Sequence, residues 1–255
     1  MIRDLTKDDW LEILKLDESH IPEALLLRGT RNLRRHYDAH LPHFELIAHI
    51  GTPNGVLEDV FVGKYGGVTI GYASVYGAAM ASEVVHLFGV LGTRLVIQTG
   101  CCGALADGFG AGDLFLATEA FCGEGAAQYY LPGRETVRST FDIDRLRSLA
   151  GGYDIPIHAG RVYTTGALFA EGIGDLERWF EAGFAAVDME TAATFAVAEY
   201  FGMERTSILF GFDNPRRREH ILLSDAEKDA RRGRANAAMI ELALGAIRSY
   251  SAPFA

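Results

Sequence analysis

Asp213, in Phe210-Gly211-Phe212-Asp213-Asn214-Pro215, directly follows an apolar run, where desolvation raises the pKa of a carboxyl. A carboxyl kept protonated there can give a proton to a leaving group. It can equally open the turn that Asn214-Pro215 signals. Val187-Asp188-Met189-Glu190 places two carboxylates around a methionine where a second apolar run stops. Asp188 can cap the following helix and Glu190 can complement its dipole. A carboxylate facing a sugar, as Glu190 can, accepts two hydroxyl hydrogen bonds and fixes its orientation. The small residues of Thr99-Gly100-Cys101-Cys102-Gly103-Ala104 let backbone N–H groups approach an anion or a flat ring. The plainer reading is a tight strand exit that needs only glycine. In Thr164-Thr165-Gly166-Ala167-Leu168-Phe169, Phe169 either stacks on a ring or packs in the core.

Other chemistries are absent from the sequence. No Gly-Lys-Ser/Thr follows the glycine-rich segment, so it is not a Walker A loop. The Gly-x-Ser-x-Gly elbow of hydrolases is missing. The eight histidines form no metal pattern. His36, His40 and His43 lie close together among arginines that disfavour a cation, and His36 and His40 read as one face of a solvated helix.

The elements that must position these residues alternate between short apolar and longer amphipathic runs. Strands are predicted at Ala24 to Leu27, Val56 to Val62, Val68 to Val75, Arg94 to Thr99, Asp113 to Phe121, His158 to Tyr163, Ala185 to Val187 and Thr206 to Phe212. Helices are predicted at Asn32 to Leu41, Ala79 to Leu91 with Gly92 as its stop, Asp142 to Leu149, Asp175 to Ala182, Glu190 to Phe201, and Asp225 to Ile247 with Ser224 as N-cap. This alternation implies an α/β fold with a mixed or largely parallel sheet. Ligands of such sheets sit at the carboxyl ends of strands, which directs attention to the turns after Thr99, Val187 and Phe212.

Composition narrows the function classes. Hydrophobic residues make up 49% of the 255, enough for one large core. The formal net charge of −10 argues against a nucleic-acid partner. No apolar run approaches the ~20 residues that span a bilayer, and the charged start Met1-Ile2-Arg3-Asp4 has no signal-peptide core. Cys101, Cys102 and Cys122 suit a reducing, cytoplasmic setting rather than a disulfide framework.

Taken in order and spacing, these segments resemble the nucleoside phosphorylase family of purine nucleoside and uridine phosphorylases, whose fold water-using nucleosidases share. The likeness runs from about Ala24 to Ile247. It rests on Val96 to Leu105, on Gly112-Asp113-Leu114, on Glu124-Gly125 through Tyr129-Tyr130-Leu131-Pro132, and above all on Val187 to Ala193. The resemblance implies a single α/β domain over residues 1–255, with a central mixed sheet flanked by helices and 1–23 as an N-terminal helical extension. It implies that Glu190 holds the ribose hydroxyls, with Asp188 as a further substrate-binding residue. Met189 would pack on the sugar, Phe169 would stack on the base, and Cys102 and Gly103 would border the base. Asp213 would be the general acid, as in purine-cleaving members.

The resemblance further implies a small-molecule nucleoside or base as partner, a homo-oligomer, no cofactor, and inorganic phosphate as co-substrate. The anion or nucleophile site would draw on Gly29, Arg31, Arg34, Gln98 and Cys101. Gln98 and Leu33, however, stand where the phosphorylases carry phosphate-binding arginines, and Cys101 replaces the usual Ser or Thr. Arg28, Arg31 and Arg34 are near enough in sequence to substitute. Three readings therefore stand: phosphorolysis to base and ribose 1-phosphate, hydrolysis to base and free sugar, and nucleoside binding without turnover.

Overall fold

The computed structural model describes residues 1–51, 57–219 and 221–251. Ten strands form one mixed sheet: β1 (Ala24–Gly29), β2 (Glu45–His49), β3 (Val60–Tyr65), β4 (Val68–Val75), β5 (Leu95–Ala104), β6 (Leu114–Gly123), β7 (Thr136–Arg138), β8 (Ile157–Thr165), β9 (Phe184–Asp188) and β10 (Glu204–Asp213). Among the described residues, seven α-helices flank it: α1 (Lys7–Leu14), α2 (Leu33–His40), α3 (Gly77–Leu91), α4 (Ile143–Leu149), α5 (Ile173–Glu181), α6 (Thr191–Tyr200) and α7 (Ala226–Ser251).

The strand order is β10-β6-β8-β9-β5-β1-β4-β3-β2, and β10 also pairs with β5. That extra pairing closes β5, β10, β6, β8 and β9 into a ring, from which β1, β4, β3 and β2 extend as an open sheet. β1, β4, β5 and β10 are linked by parallel pairings, so their carboxyl ends share one edge.

Burial on both faces explains the unbroken apolar strands. Ala24 and Leu26 of β1 join the core beneath α7, whereas Leu25 and Leu27 join the core beneath α3. α7 packs through Ala235, Met239, Leu242 and Ala246, three to four residues apart as one helix face requires. α6 is buried from Thr191 through Ala198 on every side, so its sequence carries no polar face. Gly92 ends α3 in the left-handed region, at φ 95°. Among the described residues, no helix is long and apolar enough to cross a membrane.

Several expectations need correction. The glycine-rich segment is not a turn: β5 continues through Gly100, Cys101, Cys102 and Gly103, because β10 pairs along its length and β9 pairs with its end. The strand expected from Val56 begins at Val60, and Val56 itself lies outside the described residues. β2 and β7 were not anticipated. Asp225, not Ser224, caps α7, its carboxylate accepting from the Lys228 N–H at 2.8 Å, while Ser224 bonds Asp229. His36 and His40 are not a solvated face: His40 is 1% exposed and packs on the Tyr72 ring at 4.6 Å. Burial and the nearby Arg28 charge hold both imidazoles down at about 4.

Candidate active site

The shared strand edge opens into a cavity of about 580 Å³. Its walls come from Gly29 at the end of β1, Tyr76 after β4, Cys101 to Gly103 of β5, Thr165 of β8, Asp188 at the end of β9 with Met189 and Glu190 after it, and Phe212-Asp213 of β10. Residues far apart in sequence thus meet where the strands end, as the fold class predicts.

Glu190 stands at the start of α6 and is 6% exposed. Its Oε1 accepts a 2.7 Å hydrogen bond from the Gly77 N–H. Gly77 sits at φ +78°, a backbone state that glycine takes without strain and that lets its N–H face the carboxylate. The Cα of Gly29 lies against the other side: a Cβ there would come within 2.8 Å of Glu190 Oε2. Burial, then the neighbouring Asp188 charge, raise the Glu190 carboxyl well above the usual carboxylate range.

Asp188 also borders the cavity, but its oxygens are committed. Oδ1 accepts from Thr164 Oγ1 at 2.7 Å, and Oδ2 accepts from Thr191 Oγ1 at 2.5 Å and the Thr191 N–H at 2.9 Å. Thr164 Oγ1 in turn accepts from the Ala192 N–H at 3.0 Å. Asp188 therefore caps α6 and fixes the orientation of Glu190, and its substrate-binding assignment gives way to a positioning one.

Asp213 is 8% exposed at the end of β10 and has no hydrogen bond or ion pair to its carboxylate among the described residues. Burial pushes its pKa up to about 6, partly offset by the positive charges of Arg232 and Lys228. The carboxyl is thus aimed at the cavity with its hydrogen-bonding capacity unused, and it is protonated at a far higher pH than an ordinary aspartate.

Phe169 follows β8 on a 3₁₀ turn, Leu168–Ala170, and is 85% exposed at the cavity mouth, which excludes the core reading. The Arg31 guanidinium lies 5.5 Å from its ring centroid and 4.7 Å from that of Tyr76. Met189, Cys102 and Gly103 line the cavity wall. A Cβ on Gly103 would meet Val187 at 3.0 Å, so the small residue keeps this wall open.

Of the residues assigned to the anion or nucleophile site, Gly29, Arg31 and Cys101 line the cavity. Burial keeps the Cys101 thiol protonated, with its pKa pushed up to about 11. Gln98 and Arg34 do not line it. Gln98 is fully buried, its Oε1 accepting from Ser207 Oγ and lying 2.8 Å from Thr191 Oγ1, whose one proton goes to Asp188. Arg34 pairs with Asp38 at 2.9 Å and lies 3.9 Å from Asp59. Arg28 turns away beneath the sheet, donating to Asn236 Oδ1 at 2.6 Å. Glu171, Tyr76, Arg218 and Leu222 also line the cavity and escaped sequence reasoning, since each sits in a loop or junction that reads as solvated. Among the described residues, no group of three His, Cys, Asp or Glu is arranged to hold a metal ion.

Comparison with known proteins agrees with this geometry. A purine nucleoside phosphorylase of the DeoD type from Geobacillus sp. is 29% identical over 197 residues, covering 72% of this chain and 77% of that protein. One from Bacillus thuringiensis is 26% identical over 243 residues, covering 91% and 97%. The crystal structure of uridine phosphorylase from Vibrio fischeri shares the fold, with a TM-score of 0.77 at 21% identity over 92% of this chain and 95% of that one. The family model of the phosphorylase superfamily matches residues 36–248. This chain, a mixed α/β enzyme with its carboxylates gathered at one strand edge, belongs to the phosphorylase superfamily.

Proposed function

We propose that this enzyme cleaves the N-glycosidic bond of a purine nucleoside by phosphorolysis, giving free base and ribose 1-phosphate. The observation that carries the reading is the convergence of Glu190 and Asp213 on one cavity, with the Asp213 carboxyl held near pKa 6 and free of partners among the described residues. The relatives named purine nucleoside phosphorylases support the purine.

In this reading, Glu190 accepts hydrogen bonds from the ribose hydroxyls and Phe169 stacks on the base. As the C–N bond breaks, its electron pair moves onto the base and the sugar becomes oxocarbenium-like. Protonated Asp213 gives its proton to a purine ring nitrogen, so the base departs neutral. A phosphate oxygen then bonds to the anomeric carbon. Arg31, on the Gly29 side of the cavity and without an ion pair among the described residues, is the cation placed to hold that phosphate.

Hydrolysis is the second reading. It is favoured by Gln98, whose amide oxygen accepts from Ser207 and which presents no charge to an anion. Binding without turnover has no such support, because an acid held near pKa 6, as Asp213 is, serves a proton transfer better than a passive pocket.

The test is base release from adenosine, inosine, guanosine and uridine, with and without phosphate, together with identification of the sugar product. Phosphate-dependent formation of ribose 1-phosphate upholds the proposal, and phosphate-independent release moves the enzyme to hydrolysis. Binding with no release from any nucleoside sinks both. An assembly of identical subunits in the cytoplasm belongs to the same proposal. What supports the assembly is a second cavity of about 630 Å³, lined by the exposed Ile2, Ile13, Tyr129 and Tyr200.

A further inference from the structure

One side chain links two walls at the mouth of the cavity. Arg31 follows β1, Tyr76 follows β4 and Phe169 follows β8, and all three line the cavity. The Arg31 guanidinium lies over both rings, 4.7 Å from the Tyr76 centroid and 5.5 Å from that of Phe169. A flat guanidinium suits this place, because it rests on an aromatic face as a lysine ammonium does not.

The two ends of this link are held unequally. Gly29 of β1 is in register with Val75 of β4, and the Thr30 N–H donates to the Val75 carbonyl at 2.8 Å, so the sheet itself sets Arg31 beside Tyr76. Phe169 has no such support. It sits on a single 3₁₀ turn, Leu168–Ala170, closed by the Ala170 N–H on the Ala167 carbonyl at 2.9 Å and the Glu171 N–H on the Leu168 carbonyl at 3.3 Å. Its ring is mostly exposed and belongs to none of the hydrophobic clusters. Among the described residues, the contact that tethers that ring is the Arg31 cation.

Magnitudes decide what becomes of the tether. An exposed cation–π contact favours the tethered state by about 2- to 5-fold. A hydrogen bond from a guanidinium to an oxyanion favours the paired state by about 10- to 100-fold, and an arginine can form two such bonds side by side. An oxyanion that reaches Arg31 therefore wins it from Phe169, the weaker of the two ends. We propose that Arg31 latches the Phe169 turn across the cavity mouth, and that an oxyanion such as phosphate releases the latch. This rests on the reading above for the anion at Arg31, and adds to it a control on entry to the cavity.

The experiment follows hydrogen exchange of the Ala170 and Glu171 amides, which close the turn, by mass spectrometry. Sulfate is the probe, having the shape and charge of phosphate but being a far poorer nucleophile. Chloride at equal ionic strength is the control for screening. In the wild type, sulfate should speed this exchange by about 2- to 5-fold, the size of the lost contact. In Arg31→Gln the exchange should already run at the faster rate and ignore sulfate. Phe169→Leu, which keeps Arg31 but removes the ring, should ignore it as well.

A wild type whose exchange sulfate leaves unchanged or slows overturns the inference, and so does an Arg31→Gln protein that still responds. Base release measured in parallel separates this result from the catalytic reading. Phosphate-independent release with the sulfate response intact leaves the latch standing and removes phosphorolysis. Phosphorolysis without a sulfate response does the reverse. Should Arg31→Gln not fold, Phe169→Leu is read by the same criteria.

Discussion

Replacing Asp213 by asparagine separates acid catalysis from shape. The side chains are nearly isosteric, and Asp213 has no partner among the described residues whose loss would confuse the result. Its pKa is raised from 3.8 to about 6. At pH 7 that lifts the protonated fraction from roughly 1 in 1,600 to roughly 1 in 11, a gain of about 150-fold or about 3 kcal/mol. Asparagine can still donate a hydrogen bond but cannot transfer a proton. Guanosine cleavage should therefore slow by ~10²-fold or more. 7-Methylguanosine carries a positive charge on N7 and needs no proton to leave, so its cleavage should change by less than ~10-fold. The wild-type kcat/KM for guanosine should decline as the pH rises through about 6, because the acid form of Asp213 is the active one, and 7-methylguanosine should lack that limb. Stopped-assay chromatography of the released bases reads all four rates. Equal losses on the two substrates, or an undiminished rate on guanosine, would refute the assignment of Asp213 as the acid.

The same raised pKa predicts a stability change of opposite sense. A folded-state value above the unfolded one means that ionised Asp213 opposes folding, fully above about pH 6 and not at all below about pH 4. Asp213→Asn should thus raise Tm at pH 8, by up to about 3 kcal/mol in unfolding free energy, and leave it nearly unchanged at pH 4; a lower Tm at pH 8 contradicts the burial argument. Glu190→Gln should raise KM for ribonucleosides by about 10- to 100-fold while barely affecting 2′,3′-dideoxynucleosides; equal effects on both would remove Glu190 from the hydroxyls. Gly29→Ala would bring a Cβ within 2.8 Å of Glu190 Oε2, so nucleoside KM should rise about 10-fold or more, with Tm falling by only a few degrees. Unaltered kinetics in that variant would show that the Glu190 carboxylate is not held against Gly29.

The positions of the carboxylates were legible because each follows an apolar run, and runs of that kind end at one edge of an α/β sheet. Side-chain direction was less legible. Gln98 points into the Thr191–Ser207 network, not the cavity, because residues alternate along β5 and Gln98 falls on the face packed against α6. Arg34 is drawn off by Asp38, one helical turn on at 2.9 Å, a partner that helical spacing offered, and Asp59, 25 positions away, adds a contact at 3.9 Å that the sequence did not show. The register of α2 turns Tyr37 and His40 inward together, three residues apart, whereas the charges around them suggested a wet helix. The glycines of β5 imitate a turn, yet Gly100 serves close approach: a Cβ there would lie 3.1 Å from the Gly29 oxygen. Glu171 was invisible because a glutamate in a glycine-containing loop gives no sign that its oxygen is buried.

What divides the positioning carboxylates from the reactive ones is the use of their oxygens. Asp188 and Asp213 are the same residue type, both end a strand, and they are 4% and 8% exposed. Asp188 accepts from Thr164, from Thr191 twice and from the Glu190 N–H, so a ligand would have to break an existing bond to use it. Asp213 and Glu171 accept nothing from the described residues, and burial raises them to about 6 and about 7. Their desolvation is compensated only when a substrate arrives with donors of its own or with a nitrogen that takes a proton. Glu190 is intermediate: the Gly77 N–H satisfies one oxygen and leaves the other lying against Gly29 for a hydroxyl. The cavity therefore sorts its acids by prior occupancy among the described residues, and in the proposed reaction Asp213, without such a partner, is the acid free to meet the departing base.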